Sequence, residues 1–162
     1  LSMIENWPAL LVFIAVNCAA AATGGIFRPG RWYETLRKPS WTPPNWLFGP
    51  AWSLLYAANA FAGYLVWQYG GPGDITVAMA FYALQLILNG CWSAIFFGMR
   101  RPDLAFGELI FLWLAILGTI LTFWPLRTDA ALLLLPYLAW VTFAGALNFA
   151  VWQLNAPQRR SA

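Results

Sequence analysis

The sequence has no histidine, only 9% charged residues and just two cysteines in 162 positions. Without an imidazole there is no serine–histidine triad, no histidine-bound zinc and no proximal-histidine haem. Cys18 and Cys91 stand singly inside apolar runs, with no CxxC and no spaced cluster, so neither a disulfide framework nor an iron–sulfur site is expected. A soluble domain is about 25% charged and about 45–50% apolar. This chain is 61% hydrophobic, too poor in polar surface to dissolve. Its net charge of +3 sits at the ends of apolar stretches, which reads as membrane topology rather than a nucleic-acid face. The composition is that of an integral membrane protein with no nucleic-acid partner and no metal site.

A helix rising about 1.5 Å per residue needs about 20 apolar residues to cross a hydrocarbon core about 30 Å thick. Five stretches qualify, at roughly 7–27, 46–68, 75–98, 104–124 and 130–154. The breaks between them are marked by Gly70 to Asp74, by Arg100-Arg101-Pro102-Asp103, by Pro125 to Asp129, and finally by Pro157. Continuous rather than alternating runs exclude a β-barrel. The expected fold is an all-α integral membrane protein: a single domain over residues 1–162, forming a five-transmembrane-helix bundle with a long cytoplasmic loop between helices 1 and 2. The first span lacks a cleavage pattern and should be retained. Pro136, deep in the last span, should bend it.

Charge fixes an expected orientation. Arg28, Arg31, Arg37, Lys38, Arg100, Arg101, Arg159 and Arg160 fall on one side of a five-span chain, and Arg127 alone on the other. The N-terminus should therefore lie outside and the C-terminus in the cytoplasm. The long connection from Arg28 to Asn45 lies on the cytoplasmic side. Its prolines (Pro39, Pro43, Pro44) and rigid aromatics (Trp32, Tyr33, Trp41) favour a folded cap over the bundle rather than a slack linker.

Helical periodicity of about 100° per residue sorts the spans into faces. Gln85, Asn89, Trp92 and Phe96 share one stripe of the third span, and Gly90, Ala94 and Gly98 another. The second stripe permits close backbone approach, either to a second subunit in a homodimer or to a neighbour in the same chain. Trp52, Tyr56, Asn59 and Gly63 align on the second span. On the fifth, Tyr137, Trp140, Ala144, Leu147 and Val151 align, with Asn148 beside them. Asn17, Ala21 and Gly24 mark the first span, and Glu108, Ala115 and Thr119 the fourth. Amides and carboxylates facing lipid are costly, so these stripes should point inward, where single amides can simply bond neighbouring helices. Of eleven tryptophans, Trp7, Trp46, Trp67, Trp124 and Trp152 lie at span ends as interfacial anchors, whereas Trp52, Trp92, Trp113 and Trp140 lie deeper. An aromatic wall beside small residues suits a flat apolar ligand.

At these residues the chain resembles the TspO/MBR family of translocator or tryptophan-rich sensory proteins, also called peripheral benzodiazepine receptors. The resemblance rests on three ordered blocks. The first comprises Trp32-Tyr33, Leu36 to Pro44, Pro50-Ala51-Trp52 and Leu55-Tyr56. The second runs from Gln85 to Gly98, and the third from Pro136 to Ala144 with Leu147-Asn148. The resemblance implies a bacterial member with five helices, frequently a homodimer, for which the Gly90, Ala94 and Gly98 stripe is the candidate interface. It implies binding of protoporphyrin IX or haem as ligand, with no obligatory cofactor. In animal members the family also binds isoquinoline or benzodiazepine-type drugs and sterols, which the resemblance makes further candidate partners. Residues implied for the pocket are Tyr33, Trp41, Pro43, Trp52, Asn89, Trp92, Trp140, Ala144 and Leu147. Trp52 and Trp140 would be catalytic only if light- and oxygen-dependent porphyrin degradation takes place. The sterol motif of animal members is absent, since Phe149 and Gln153 stand where it has tyrosine and a cation. The membrane implied is a bacterial cell membrane, with an outer membrane as the alternative. Tetrapyrrole transfer, sensing or regulation is the expected role, and the lack of internal repeats counts against active transport.

Overall fold

The computed structural model describes residues 5–71 and 73–160, excluding the side chains of 157–160. Pro72, Pro157, Arg159 and Arg160 are thus the sequence-marked positions whose side chains lie outside the described residues. The helices are α1 (Trp7–Ile26), α2 (Arg31–Thr35), α3 (Asn45–Tyr69), α4 (Thr76–Ser93), α5 (Pro102–Phe123), α6 (Thr128–Leu133) and α7 (Leu135–Arg160). A π-helical turn, Ala94–Gly98, extends α4. No strand occurs among the described residues.

Local chemistry accounts for the boundaries. Asn6 caps α1 by accepting from the Ala9 N–H at 3.2 Å, and Pro8 sits in the first turn, where its missing donor is harmless. Pro102 opens α5 in the same way. The π turn closes with the Met99 N–H on the Ala94 carbonyl at 2.8 Å, and Arg100 then takes φ 55° to turn the chain into α5. Pro136 does more than bend the last span. The helix stops at Leu133 and restarts at Leu135, which moves the proline into the first turn of α7. Pro157 does not end α7, which runs on to Arg160.

Among the described residues, four helices are long and apolar enough to cross a membrane: α1, α4 with its π turn, α5, and α6 with α7 as far as Ala156. The chain is therefore a multi-pass helical membrane protein. Helix α3 is 25 residues long but less apolar, because Asn45, Gly49, Pro50, Ser53, Asn59, Gly63 and Gln68 dilute it. Of these, Asn59 and Gly63 are buried in the interior, whereas Asn45, Gly49, Pro50 and Ser53 are exposed.

A run of side-chain amides and phenols crosses the bundle. Tyr56 Oη donates to Asn89 Oδ1 at 2.5 Å, Asn89 Nδ2 to Tyr137 Oη at 2.6 Å, and Tyr137 Oη to Gln85 Oε1 at 2.9 Å. Gln85 Nε2 then donates to Asn59 Oδ1 at 3.4 Å, and Asn59 Nδ2 to Asn17 Oδ1 at 2.7 Å. Asn17 Nδ2 reaches Tyr82 Oη at 2.9 Å, and Tyr82 Oη bonds the Asn59 carbonyl at 2.9 Å. Helices α1, α3, α4 and α7 are joined by it, and all its amides are buried. Unpaired, these groups would be costly in lipid, so the run both satisfies them and fixes the helices' relative rotation.

Close packing surrounds the run. A Cβ on Gly63 would lie 2.6 Å from Tyr82 Cζ and 2.8 Å from Phe13 Cδ1. The α4 small-residue stripe meets α1 of its own chain. Atoms of Thr23 and Ala20 lie within 4.0 Å of a Cβ built on Gly90, and Phe27 Cδ1 lies 2.8 Å from one on Gly98. Gly63→Ala should push Tyr82 off its bonds to Asn17 and Asn59. The expected cost is about 1–3 kcal/mol, read as a lowered thermal midpoint in detergent; an unchanged midpoint would show that the crossing has slack.

Candidate ligand cavity

A cavity of about 890 Å³ opens inside the bundle, beneath the connection between α1 and α3. Seven of the nine positions implied for a pocket line it: Tyr33, Trp52, Asn89, Trp92, Trp140, Ala144 and Leu147. Trp41 and Pro43 are not brought to its wall. Trp41 instead packs edge-on against Phe143 at 5.7 Å, and Phe143 in turn lies 5.6 Å from Trp140, so Trp41 supports the wall from behind. The three-residue stripe of Gly90, Ala94 and Gly98 is not part of the lining.

Each aromatic on the wall is placed by its helix and held by a neighbour. Trp52 stands with its ring perpendicular to Trp140, centroids 6.4 Å apart, and also meets Tyr56 at 5.6 Å and Tyr137 at 6.2 Å. Trp92 stacks on Phe96 at 5.0 Å and donates its Nε1–H to Asn148 Oδ1 at 3.0 Å. Asn148 Nδ2 in turn bonds the Pro102 carbonyl at 2.8 Å, which locks the start of α5 to α7. Trp140 differs, since its buried Nε1 has no acceptor among the described residues.

The loop seals one end. Tyr33 in α2 is 5% exposed and meets Phe96 and Phe97 edge-on, while Trp32 meets Phe96. Burial pushes the Tyr33 phenol above its ordinary range, so it remains a neutral donor at physiological pH. Lys38 places its ammonium 4.6 Å from the Tyr33 ring centroid. Asn155 of α7 holds the backbone of Arg37 on both sides, accepting from its N–H at 3.1 Å and donating to its carbonyl at 2.9 Å. The connection is thus a docked cap.

The resemblance left several wall residues out of the implied pocket. Tyr56, one turn beyond Trp52, already stood on the inward stripe of the second span and does line the cavity; Phe48, one turn before Trp52, would have been found by extending that stripe. Asn148 lies one position from Leu147 and contributes as well. Cys18 lines the cavity but carried no sequence signal as a lone thiol. Glu108 is absent from the lining, and both its carboxyl oxygens are buried without a hydrogen-bond partner among the described residues. No group of three or more acidic or cysteine ligands that could hold a metal occurs among the described residues.

These features define a class: all-helical, multi-pass membrane proteins whose polar helix faces enclose an aromatic cavity under a docked loop. The sequence profile described as the TspO/MBR family matches residues 12–153. Protein CrtK of Rhodobacter capsulatus is 44% identical over 148 residues, covering 91% of this chain and 92% of that protein. The tryptophan-rich sensory protein of Cereibacter sphaeroides is 41% identical over 153 residues, with 94% and 95% covered. The translocator protein of Homo sapiens is 38% identical over 158 residues, with 94% of each chain covered. The chain belongs to the TspO/MBR family.

If the cap is held as described, Asn155→Ala should leave the Arg37 N–H without its acceptor. A loss of about 1–2 kcal/mol of local stability corresponds to roughly tenfold faster exchange. Hydrogen exchange at the Arg37 amide measures it, and exchange unchanged from the wild type would mean that the aromatic contacts alone dock the cap.

Proposed function

We propose that the cavity binds a tetrapyrrole, metal-free protoporphyrin IX in preference to haem, and that the protein serves tetrapyrrole transfer, sensing or regulation in a bacterial membrane. The observation that carries this reading is the perpendicular Trp52–Trp140 pair on the wall of an 890 Å³ cavity. Small-molecule sites span about 300–1,000 Å³ and are mostly apolar with a few placed polar groups. A flat macrocycle gains ring contact from such walls, and the free Trp140 N–H offers a donor to a carbonyl or carboxylate on the ligand. The absence of histidine weighs against haem, whose iron would have no imidazole. Isoquinoline or benzodiazepine-type drugs and sterols are other apolar occupants of the same space. The names of the relatives, a sensory protein and a translocator protein, agree with sensing or transfer.

The same reading makes α3 the fifth span, since it runs antiparallel to α1 and carries the inner polar face. It places the capping loop and the C-terminus in the cytoplasm and the N-terminus outside, in a bacterial cell membrane or an outer membrane. Gly90 already faces α1, so a homodimer has exposed α4 residues such as Leu84 and Ile87 available to it.

A second reading, light- and oxygen-dependent porphyrin degradation, is favoured by the closeness of the two indoles, which places both within reach of a photoexcited ligand. One experiment separates the readings. Protoporphyrin IX is titrated into wild type and Trp52→Phe/Trp140→Phe in detergent, following tryptophan quenching in the dark and porphyrin absorbance under illumination. Saturable quenching with unchanged absorbance supports binding and transfer. Light-dependent product that vanishes in the double variant while binding persists selects degradation. No saturable binding by wild type overturns the tetrapyrrole reading.

A further inference from the structure

The cavity's boundary is uneven. At the loop end it is closed by Tyr33 against Phe96 and Phe97, with Asn155 pinning Arg37. Along the side formed by α1 and α3 it is not closed. The two helices are bound together near the start of α1, where Asn6 Nδ2 donates to Gln68 Oε1 at 3.3 Å and Phe13 closes on Gly63. Their last tie is the Asn59–Asn17 bond at 2.7 Å.

Beyond that bond the facing positions are small. Cys18, Ala21 and Gly25 on α1, and Ala57, Ser53 and Gly49 on α3, all line the cavity. All but Ala21 are exposed, so one surface serves both the interior and the outside of the bundle. A Cβ placed on Gly25 or on Gly49 would meet nothing within 4 Å. Small residues at a helix seam in lipid ordinarily bring backbones into contact. Here they face open space instead, and they leave a cleft whose lips are almost wholly apolar.

We infer that the cavity is loaded sideways from the hydrocarbon of the bilayer, through the cleft between α1 and α3. The ligand is then a molecule already partitioned into the membrane, rather than one arriving from water beneath the loop. This rests on the reading that α3 spans the membrane and that the cavity is the binding site. Bulk added at the lip obstructs passage in both directions, whereas bulk added to a binding wall changes affinity.

Two measurements test it. Gly49→Phe puts a ring into the cleft at a position with no neighbour to displace. With protoporphyrin IX in proteoliposomes, followed by stopped-flow tryptophan quenching, association and dissociation should both slow at least about tenfold. Unchanged rates, or weakened binding through faster dissociation alone, overturn the inference. The second uses Cys18 as a native reporter in a Cys91→Ala background. A membrane-soluble N-phenylmaleimide should modify Cys18 at least about tenfold faster than a sulfonated, membrane-impermeant maleimide, and protoporphyrin IX should slow that modification. Comparable rates with the two reagents overturn the lateral route. The reagent comparison needs no tetrapyrrole, so it decides the route even if protoporphyrin IX fails to bind and the ligand reading falls, and even if Gly49→Phe does not fold.

Discussion

The cost of an unpaired polar group in lipid is the constraint from which most of this structure follows. The chain places Asn17, Asn59, Gln85, Asn89 and three tyrosines inside helices that would otherwise be plain apolar rods. Each must find a partner within the protein, because the hydrocarbon offers none. Only one relative rotation of α1, α3, α4 and α7 brings them all together. Gly63 and Gly90 then let the backbones approach closely enough for the bonds to form. Packing and hydrogen bonding thus select the same arrangement, which gives a folded sequence a single minimum.

That arrangement leaves a space, and the space is where the family's aromatic residues gather. Trp52, Trp92 and Trp140 are held by ring contacts with Tyr56 and Phe96 beside them on the wall and with Tyr137 and Phe143 behind it, so the walls are stiff. A preformed wall loses little side-chain freedom on binding, and contact area then converts more fully into affinity. The docked loop belongs to the same device. Asn155 holds it by the backbone of Arg37, while the Lys38 ammonium lies over the Tyr33 ring.

Much of this was legible in the residues themselves. Apolar run lengths placed the helices within about two residues at most boundaries, and part of each inward stripe of α3, α4 and α7 lies on the wall, while Asn59, Gly63, Gln85 and Tyr137 of the same stripes pack away from it. What periodicity could not supply was the consequence of local backbone chemistry and of long-range choice. It read Pro136 as a bend, whereas the chain stops and restarts around Leu134. It read Pro157 as an end, whereas the helix continues past it. It could see that Gly90 and Gly98 wanted a close partner but not that α1 is that partner, since a stripe records only its own half of an interface. Trp41 was taken toward the wall on the strength of a resemblance, and Phe143 intervenes. Helix α3 falls short of the apolarity of the four candidate spans because Pro50, Asn59, Gln68 and its glycines dilute it.

The amide–phenol run has one further property. Every donor in it points the same way, from Tyr56 on the cavity wall through Asn89, Tyr137, Gln85, Asn59 and Asn17 to Tyr82, and it ends on a backbone carbonyl. In such a head-to-tail sequence the dipoles add, and each bond polarises the next. Reversing a single amide would set donor against donor on one side and acceptor against acceptor on the other. Orientation is therefore a collective property of four helices. The first member lies on the cavity wall and the last at the crossing with α1, so a change of polarity at that wall bears, through the run, on the seam where α1 and α3 are tied.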